Sequence, residues 1–567
     1  MGEVEFSKGD EYKVKMVDGG EFKEPGGGIR KPSREEIDEY RIHRIVVMVI
    51  FALVVILLLL LIVILMATTE GCKPEKKMPW YKSGVMYNIY PRSFKDSVKN
   101  DGVGDFKGII EKLSYLKGLG VNILYLSSIF HVDKTVDYGY SVIDFKDTNS
   151  DYGTIEDFSK LVESAHEQDM KVIIDFIPAV TSTKHPWFNS SQQRKDGKED
   201  WYVWMDNNQT SAKGKWFNDI ERGQYYLHPS DSHSKANLNW TNADVQKEME
   251  SVFEFWLKKN VDGFHIVSIQ NLFVGNPINE WDKIHMLVQK WHNSTKKILP
   301  DSILMGTSHP TNLELYGTNS QPELDIVVNL KLVPEKSDTF YNAKNFKNII
   351  DSYINKLRKG NWPSWTLSSL FHQRVASNVN YKLAKSLQSL LMVLPGTPIL
   401  FYGDEIGMKD VSSPLVNQVD YNKAPMQWNG NEKGGFTSSN KTWFGEFGNV
   451  SRTNVELDQL GILKTLKKAL NLRKENAIDL LDAPLSNFTI ETTNNVLAFT
   501  FNDKTSRFAV VLNFVKDIAK IDLENTLGIK KAQLKFYTHD VKPSFVNMKD
   551  LSIPGYALCV FQVTGKM

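Results

Sequence analysis

Asn122-Ile-Leu-Tyr-Leu126, the amphipathic stretch from Ile155 to Gln168, and Lys171-Val-Ile-Ile-Asp-Phe176 decide how this chain is read: strand, helix, strand. Short apolar runs separated by helical stretches are the pattern of repeated βα units on a parallel sheet. Working outward, Val85-Met-Tyr-Asn-Ile-Tyr90 precedes a helix from Phe106 to Gly118. Phe264 to Ser268, Ile303 to Gly306, Asp325 to Leu330, Trp365 to Leu370 and Ile399 to Tyr402 bring the count to eight strands. Eight such units predict an α/β fold, a (β/α)8 TIM barrel. The polar, tryptophan-bearing stretch 181–243 interrupts the repeat after strand three and is too long for a plain loop, so it predicts an inserted subdomain. Beyond about Glu475, Asn495-Val-Leu-Ala-Phe-Thr-Phe501, Arg507-Phe-Ala-Val-Val-Leu-Asn513 and Gly555-Tyr-Ala-Leu-Cys-Val-Phe-Gln-Val563 alternate as β runs without helices between them. They predict a C-terminal antiparallel β-domain.

Ahead of the barrel, residues 45–67 are an uncharged apolar run in which all but Met48, Ala52, Met66 and Ala67 are Ile, Val, Leu or Phe. At 1.5 Å rise per residue such a run crosses a hydrocarbon core of about 30 Å, which predicts one transmembrane helix. It is too long, and begins too far into the chain, for a cleaved signal peptide. Residues 1–44 read as a cytoplasmic tail, polar and containing Gly26-Gly-Gly28, with Ser33-Arg-Glu-Glu36 at capping-box spacing near its end. Residues 68–79 form a linker, 80–180 and 244–475 the two parts of the barrel, and 476–567 the terminal domain. Flanking charge barely leans toward an internal N-terminus: Arg30, Lys31, Arg34, Arg41 and Arg44 precede the run, and Lys73, Lys76, Lys77 and Lys82 follow it. The glycosylation sequons at Asn189, Asn208, Asn239, Asn293, Asn440, Asn449 and Asn487 all follow the run, which favours a type II protein with its bulk outside.

A net charge of +1 offers no basic footprint for nucleic acid. The two cysteines, Cys72 and Cys559, lie too far apart for a zinc motif. Cys72 stands in the polar linker, whereas Cys559 sits in the apolar run Tyr556-Ala-Leu-Cys-Val-Phe and reads as a small buried hydrophobe.

Tyr90-Pro-Arg-Ser-Phe-Lys-Asp-Ser97, Gly118-Leu-Gly-Val-Asn-Ile-Leu-Tyr-Leu-Ser127, Lys184-His-Pro-Trp-Phe188, Gly396-Thr-Pro-Ile-Leu-Phe-Tyr-Gly-Asp-Glu-Ile-Gly407 and Pro425-Met-Gln-Trp428 resemble the alpha-glucosidase branch of the alpha-amylase superfamily. The resemblance implies what four strand ends would carry in an active member. These are Asn-His at Ala179-Val180, Arg and the nucleophilic Asp at His265 and Val267, the acid/base Glu at Thr307, and His-Asp at Leu370-Phe371. Retaining glycoside hydrolysis uses two carboxylates about 5 Å apart. The nearest following acids are Glu280 after Val267 and Glu314 after Thr307, and none lies between Trp365 and Arg374. On this reading the chain is expected to be no enzyme and to have a drier upper barrel able to pack. Asp137, Asp144 and Asp175 are expected to serve as structural hydrogen-bonding groups, and His265 and His372 as packing residues.

No cofactor is expected, with one candidate calcium loop. Asp96, Asn100, Asp101 and Asp105 resemble the family's acidic calcium loop, but the segment has one extra residue and puts Lys99 where an oxygen ligand is expected.

A glucosidase-like ectodomain on a type II anchor, with Cys72 five residues past the span, resembles the heavy subunits of heteromeric amino acid transporters. The inserted subdomain brings it closer to the rBAT type than to heavy chains without one. The resemblance implies an ancillary subunit at the plasma membrane, disulfide-linked through Cys72 to a multispanning light subunit that carries the substrate. The alternatives are a membrane-anchored carbohydrate-binding receptor and an active alpha-glucosidase, a maltase.

Overall fold

The computed structural model describes residues 31–68, 78–134, 139–206, 215–229, 233–274, 281–307, 323–334, 339–357, 361–476, 488–493, 495–502, 507–539 and 548–563. Two compact units are present, residues 1–76 and 77–567.

In the first unit, Ser33 and Glu36 form the expected capping box of a short helix, Arg34–Glu39. The long helix α1, Arg41–Thr68, follows, and its segment Arg41–Leu65 is by length and composition enough to cross a membrane. Cys72 lies outside the described residues.

In the second unit, eight parallel strands close into a barrel: β1 Met86–Ile89, β2 Ile123–Leu126, β3 Lys171–Phe176, β4 Gly263–Ile266, β5 Ile303–Thr307, β6 Ile326–Val328, β7 Trp362–Trp365 and β8 Thr397–Phe401. Each pairs with its neighbours in chain order, and β1 closes the ring against β8 through Met86 opposite Ile399. The strands read as continuous apolar runs because helices cover them outside and side chains fill the barrel within. The covering helices include α2 Phe106–Leu119, α3 Ile155–Glu167, α4 Ala243–Leu257, α5 Trp281–Ile298, α6 Ala343–Lys356, α7 Tyr381–Val393 and α8 Ile462–Glu475. Side-chain caps start several of them: Asp105 accepts from the Gly108 N–H, Thr154 from Asp157, Asn242 from Asp244 and Val245, and Asn380 from Leu383. Helix α2 ends on Gly120, whose φ of 103° is left-handed.

One strand lies elsewhere than the sequence pattern suggests. The seventh was expected at Trp365 to Leu370 but occupies Trp362–Trp365, where Pro363 interrupts the apolar run. Residues 366–372 form the mouth loop instead, closed by a hydrogen bond from the His372 N–H to the Ser369 carbonyl.

The insertion begins where Val180–Ser182 pairs antiparallel with Lys235–Asn237, and it contains the helix Pro186–Gln192 and a three-stranded sheet of Trp204–Met205, Gln224–His228 and Lys215–Asp219. The terminal domain holds a five-stranded antiparallel sheet: β9 Phe488–Thr493, β10 Val496–Asn502, β11 Arg507–Asn513, β12 Ala532–Tyr537 and β13 Leu558–Val563. Its three central strands, β10, β11 and β13, are buried on both faces. Leu497, Phe499, Val510 and Val560 join the barrel's core, while Val496, Ala498, Val511 and Cys559 line a second core beneath Leu523–Leu527. That segment is a short helix capped by Asp522, which corrects the expectation of a domain without helices. Cys559 is fully buried, and burial pushes its thiol up to about 12.

Candidate active site at the barrel mouth

Strand register sets the floor of the mouth. His265 on β4 lies opposite Asp175 on β3, and both are buried, at 5% and 1% exposure. Asp175 accepts four hydrogen bonds: from Tyr125 Oη at 2.8 Å, Tyr140 Oη at 2.8 Å, the Ser128 N–H at 3.2 Å and His265 Nδ1 at 2.7 Å. Burial, and then the charge of Asp175, holds both tyrosine hydroxyls well above the ordinary phenol range, so they stay protonated and act as donors. His265 Nδ1 lies 2.7 Å from the Asp175 carboxylate and also 2.7 Å from the Tyr125 hydroxyl, so one ring nitrogen is held by both groups. The other ring nitrogen, Nε2, faces the Thr307 hydroxyl at the end of β5 within hydrogen-bond contact.

Asp175 therefore has the expected hydrogen-bonding role, whereas His265 is more than the packing residue expected of it. It links a buried carboxylate to a hydroxyl. Tyr125 and Tyr140 were not singled out in the sequence, where the signal was a lone phenol in the otherwise aliphatic strand Asn122 to Leu126.

Above this floor opens a cavity of about 510 Å³. The upper barrel is thus not packed shut, contrary to expectation. Val267, Val328, Leu330, Val333 and Leu370 form apolar walls, with Gln270 and Asn88 among the polar lining groups. Phe371, 55% exposed, stands at the rim against Tyr140 with ring centroids 5.1 Å apart. Ser268, next to Val267, has a left-handed backbone (φ 55°, ψ 48°), a strained state for a residue with a Cβ.

The other expected positions scatter. Ala179 and Val180 are buried at the base of the insertion, where the Ala179 carbonyl accepts from the Leu238 N–H. His372 pairs with the Ser369 hydroxyl at 2.8 Å. Asp144 is exposed and caps the Lys146 N–H, away from the floor. Asp137, Glu280 and Glu314 lie outside the described residues. Among the sequons, Asn189, Asn293, Asn440 and Asn449 are exposed. Asn239 is half-buried with its amide donating to the Asp200 carbonyl, and Asn208 and Asn487 lie outside the described residues.

In the candidate calcium loop the acidic side chains are engaged by donors within the protein. Asp96 accepts from the Asn100 and Gly102 N–H groups and the Thr437 hydroxyl, and Asp105 accepts from Ser97, Val98 and Gly108. Asp101 accepts from the Val103 N–H, Asn100 Oδ1 accepts from the Ser438 hydroxyl, and the Lys99 ammonium turns away to the Ser150 carbonyl. Among the described residues, no grouping of three or more His, Cys, Asp or Glu has metal-binding geometry.

A second buried carboxylate pair follows β8. Glu405 accepts from Tyr87 at 2.7 Å and Tyr115 at 3.0 Å. Asp404 lies 3.7 Å from the Arg374 guanidinium, yet burial lifts its carboxyl to about 7.

Residues 88–481 match the family described as alpha amylase, catalytic domain. The chain is 31% identical over 519 residues to the rat protein "Amino acid transporter heavy chain SLC3A1", covering 81% of this chain and 74% of the relative. It is also 31% identical over 444 residues to the alpha-glucosidase of Culex pipiens, covering 71% and 76%. Among solved structures, the trehalose-6-phosphate hydrolase of Bacillus licheniformis superposes with a TM-score of 0.76 at 26% identity, covering 86% of this chain and all of that one.

These likenesses overturn the expectation that the chain is no enzyme. The same barrel is shared with hydrolases at the same identity as with a transporter subunit. The mouth retains an open cavity with a buried carboxylate and a polar relay.

Proposed function

This chain belongs to the alpha-amylase family, and on that premise we propose that it is the heavy subunit of an amino acid transporter, held in the plasma membrane by α1. The observation that carries this reading is the similarity to a heavy chain over 519 residues, in a protein whose barrel is preceded by a helix long and apolar enough to span a bilayer. In this reading the chain is a type II glycoprotein. The barrel and terminal domain are extracellular, and Cys72 is disulfide-linked to a multispanning light subunit that it stabilises and brings to the surface. An oxidising compartment suits an unpaired thiol in a short linker to intermolecular pairing, whereas Cys559 is buried in a strand and out of reach of a partner. The test is purification of the full chain from its own membranes under non-reducing conditions, followed by mass spectrometry of what remains covalently attached. A multispanning partner released by reductant is expected, and a purely monomeric chain contradicts the reading.

A glycoside-hydrolase reading has its own support in the 31% identity to an alpha-glucosidase and in the open mouth. Turnover of maltose or a nitrophenyl glucoside by the purified full chain is its test.

A further inference from the structure

Asp175, His265 and Thr307 stand in one hydrogen-bonded line: carboxylate to Nδ1 at 2.7 Å, and Nε2 to a hydroxyl. They come from three adjacent strands, β3, β4 and β5, so the sheet register holds the order rigidly. The ring is oriented from below: Asp175, itself held by Tyr125, Tyr140 and the Ser128 N–H, meets Nδ1 at 2.7 Å, and the Tyr125 hydroxyl meets the same nitrogen at 2.7 Å. An imidazole held through Nδ1 by a carboxylate, with Nε2 against a hydroxyl, is the arrangement by which a base activates an alcohol nucleophile, recognised by geometry and role whatever the fold. Thr307 is part-exposed and lines the 510 Å³ cavity, so its oxygen reaches the space a substrate would fill. The walls of that space are Val267, Val328, Leu330, Val333 and Leu370, which favour an apolar body over a sugar.

We propose that the barrel mouth is an acyl-transfer site in which Thr307 is the nucleophile, His265 the general base and acid, and Asp175 the positioning residue, acting on carboxylic esters with an apolar acyl chain. Thr307 Oγ1 bonds to the ester carbonyl carbon while its proton passes to His265 Nε2. The tetrahedral adduct then expels the alcohol, which leaves with that proton, and Thr307 is acylated. Water adds to the acyl carbon, gives its proton to Nε2, and the carboxylic acid departs as the proton returns to Thr307. The sum is ester plus water to acid plus alcohol. During each transfer Asp175 faces the transient imidazolium, and Gln270 supplies an amide to the same cavity.

The test uses the full chain in nanodiscs with p-nitrophenyl butyrate as substrate and a fluorophosphonate as the labelling reagent, the modified residue being located by peptide mass spectrometry. The expected result is label on Thr307 and ester turnover. Thr307→Val should abolish both, and Thr307→Ser should retain both, since it keeps the hydroxyl. Asp175→Asn should lower kcat about 100-fold or more with KM little changed, the split expected of a group that orients the base. His265→Gln should abolish labelling at Thr307 and provides an independent readout if the valine variant does not fold. A folded native chain that takes no label and hydrolyses no ester overturns the proposal, as does turnover that persists in both Thr307→Val and His265→Gln. Maltose turnover in the same preparation bears on the glycosidase reading alone.

Discussion

Asp175 is a buried carboxyl group held by four polar neighbours, and the residues that supply them are exchangeable one at a time. Tyr125→Phe keeps the ring and removes one donor, so it should cost about 1–3 kcal/mol of stability, measured by denaturant unfolding. Asp404 behaves in the opposite sense to a salt-bridged carboxylate. Its carboxyl titrates near 7 when folded and near 3.8 when free, so the folded state keeps a proton that the unfolded state releases. Stability from this group is full below about pH 4 and is lost as pH rises toward 7. Asp404→Asn imitates the protonated form. The variant's stability relative to the native chain should therefore improve by about 4 kcal/mol between pH 4 and pH 8. An equal difference at both pH values contradicts the assignment.

Elements meet closely where side chains are absent. A Cβ on Gly263 of β4 would stand 2.5 Å from the Ile303 carbonyl oxygen on β5, a backbone atom that cannot step aside without breaking the ladder. Gly263→Ala should thus lower the midpoint of thermal unfolding, at a cost of about 1–3 kcal/mol. Strands β10, β11 and β13 show the complementary case: both faces are buried, so alternation of polar and apolar residues disappears and only their length and β-branching mark them as strands. For the same reason the seventh barrel strand was misread by several residues. Trp362, Trp365, Leu367 and Leu370 are all buried, and burial that continues from strand into mouth loop carries no sign of where pairing stops.

For the whole molecule, the linkage through Cys72 is the claim with the largest consequence. Cys72→Ser should convert a reducible high-molecular-weight band into separate chains on a non-reducing gel, while surface delivery of the light subunit falls only in part, since noncovalent contact surface remains. A band that survives Cys72→Ser but disappears in Cys559→Ser would show the bridge to be elsewhere.

The sequence alone determined the eight-fold alternation of the barrel, the apolar span ahead of it, the insertion after β3 and the burial of Cys559. These depend on composition and period within a few residues of each position, which is where hydrophobic patterning acts. The line Asp175, His265, Thr307, the two tyrosines beneath it and the open cavity above it were decided only by tertiary structure. These residues are tens of positions apart, and whether they touch depends on barrel register and on which neighbours are too small to fill the space. The same applies to the calcium loop, whose acids look like ligands in sequence and in the fold are taken by N–H and hydroxyl donors. A carboxylate's role is set by which donors reach it first, and the chain order does not state that distance.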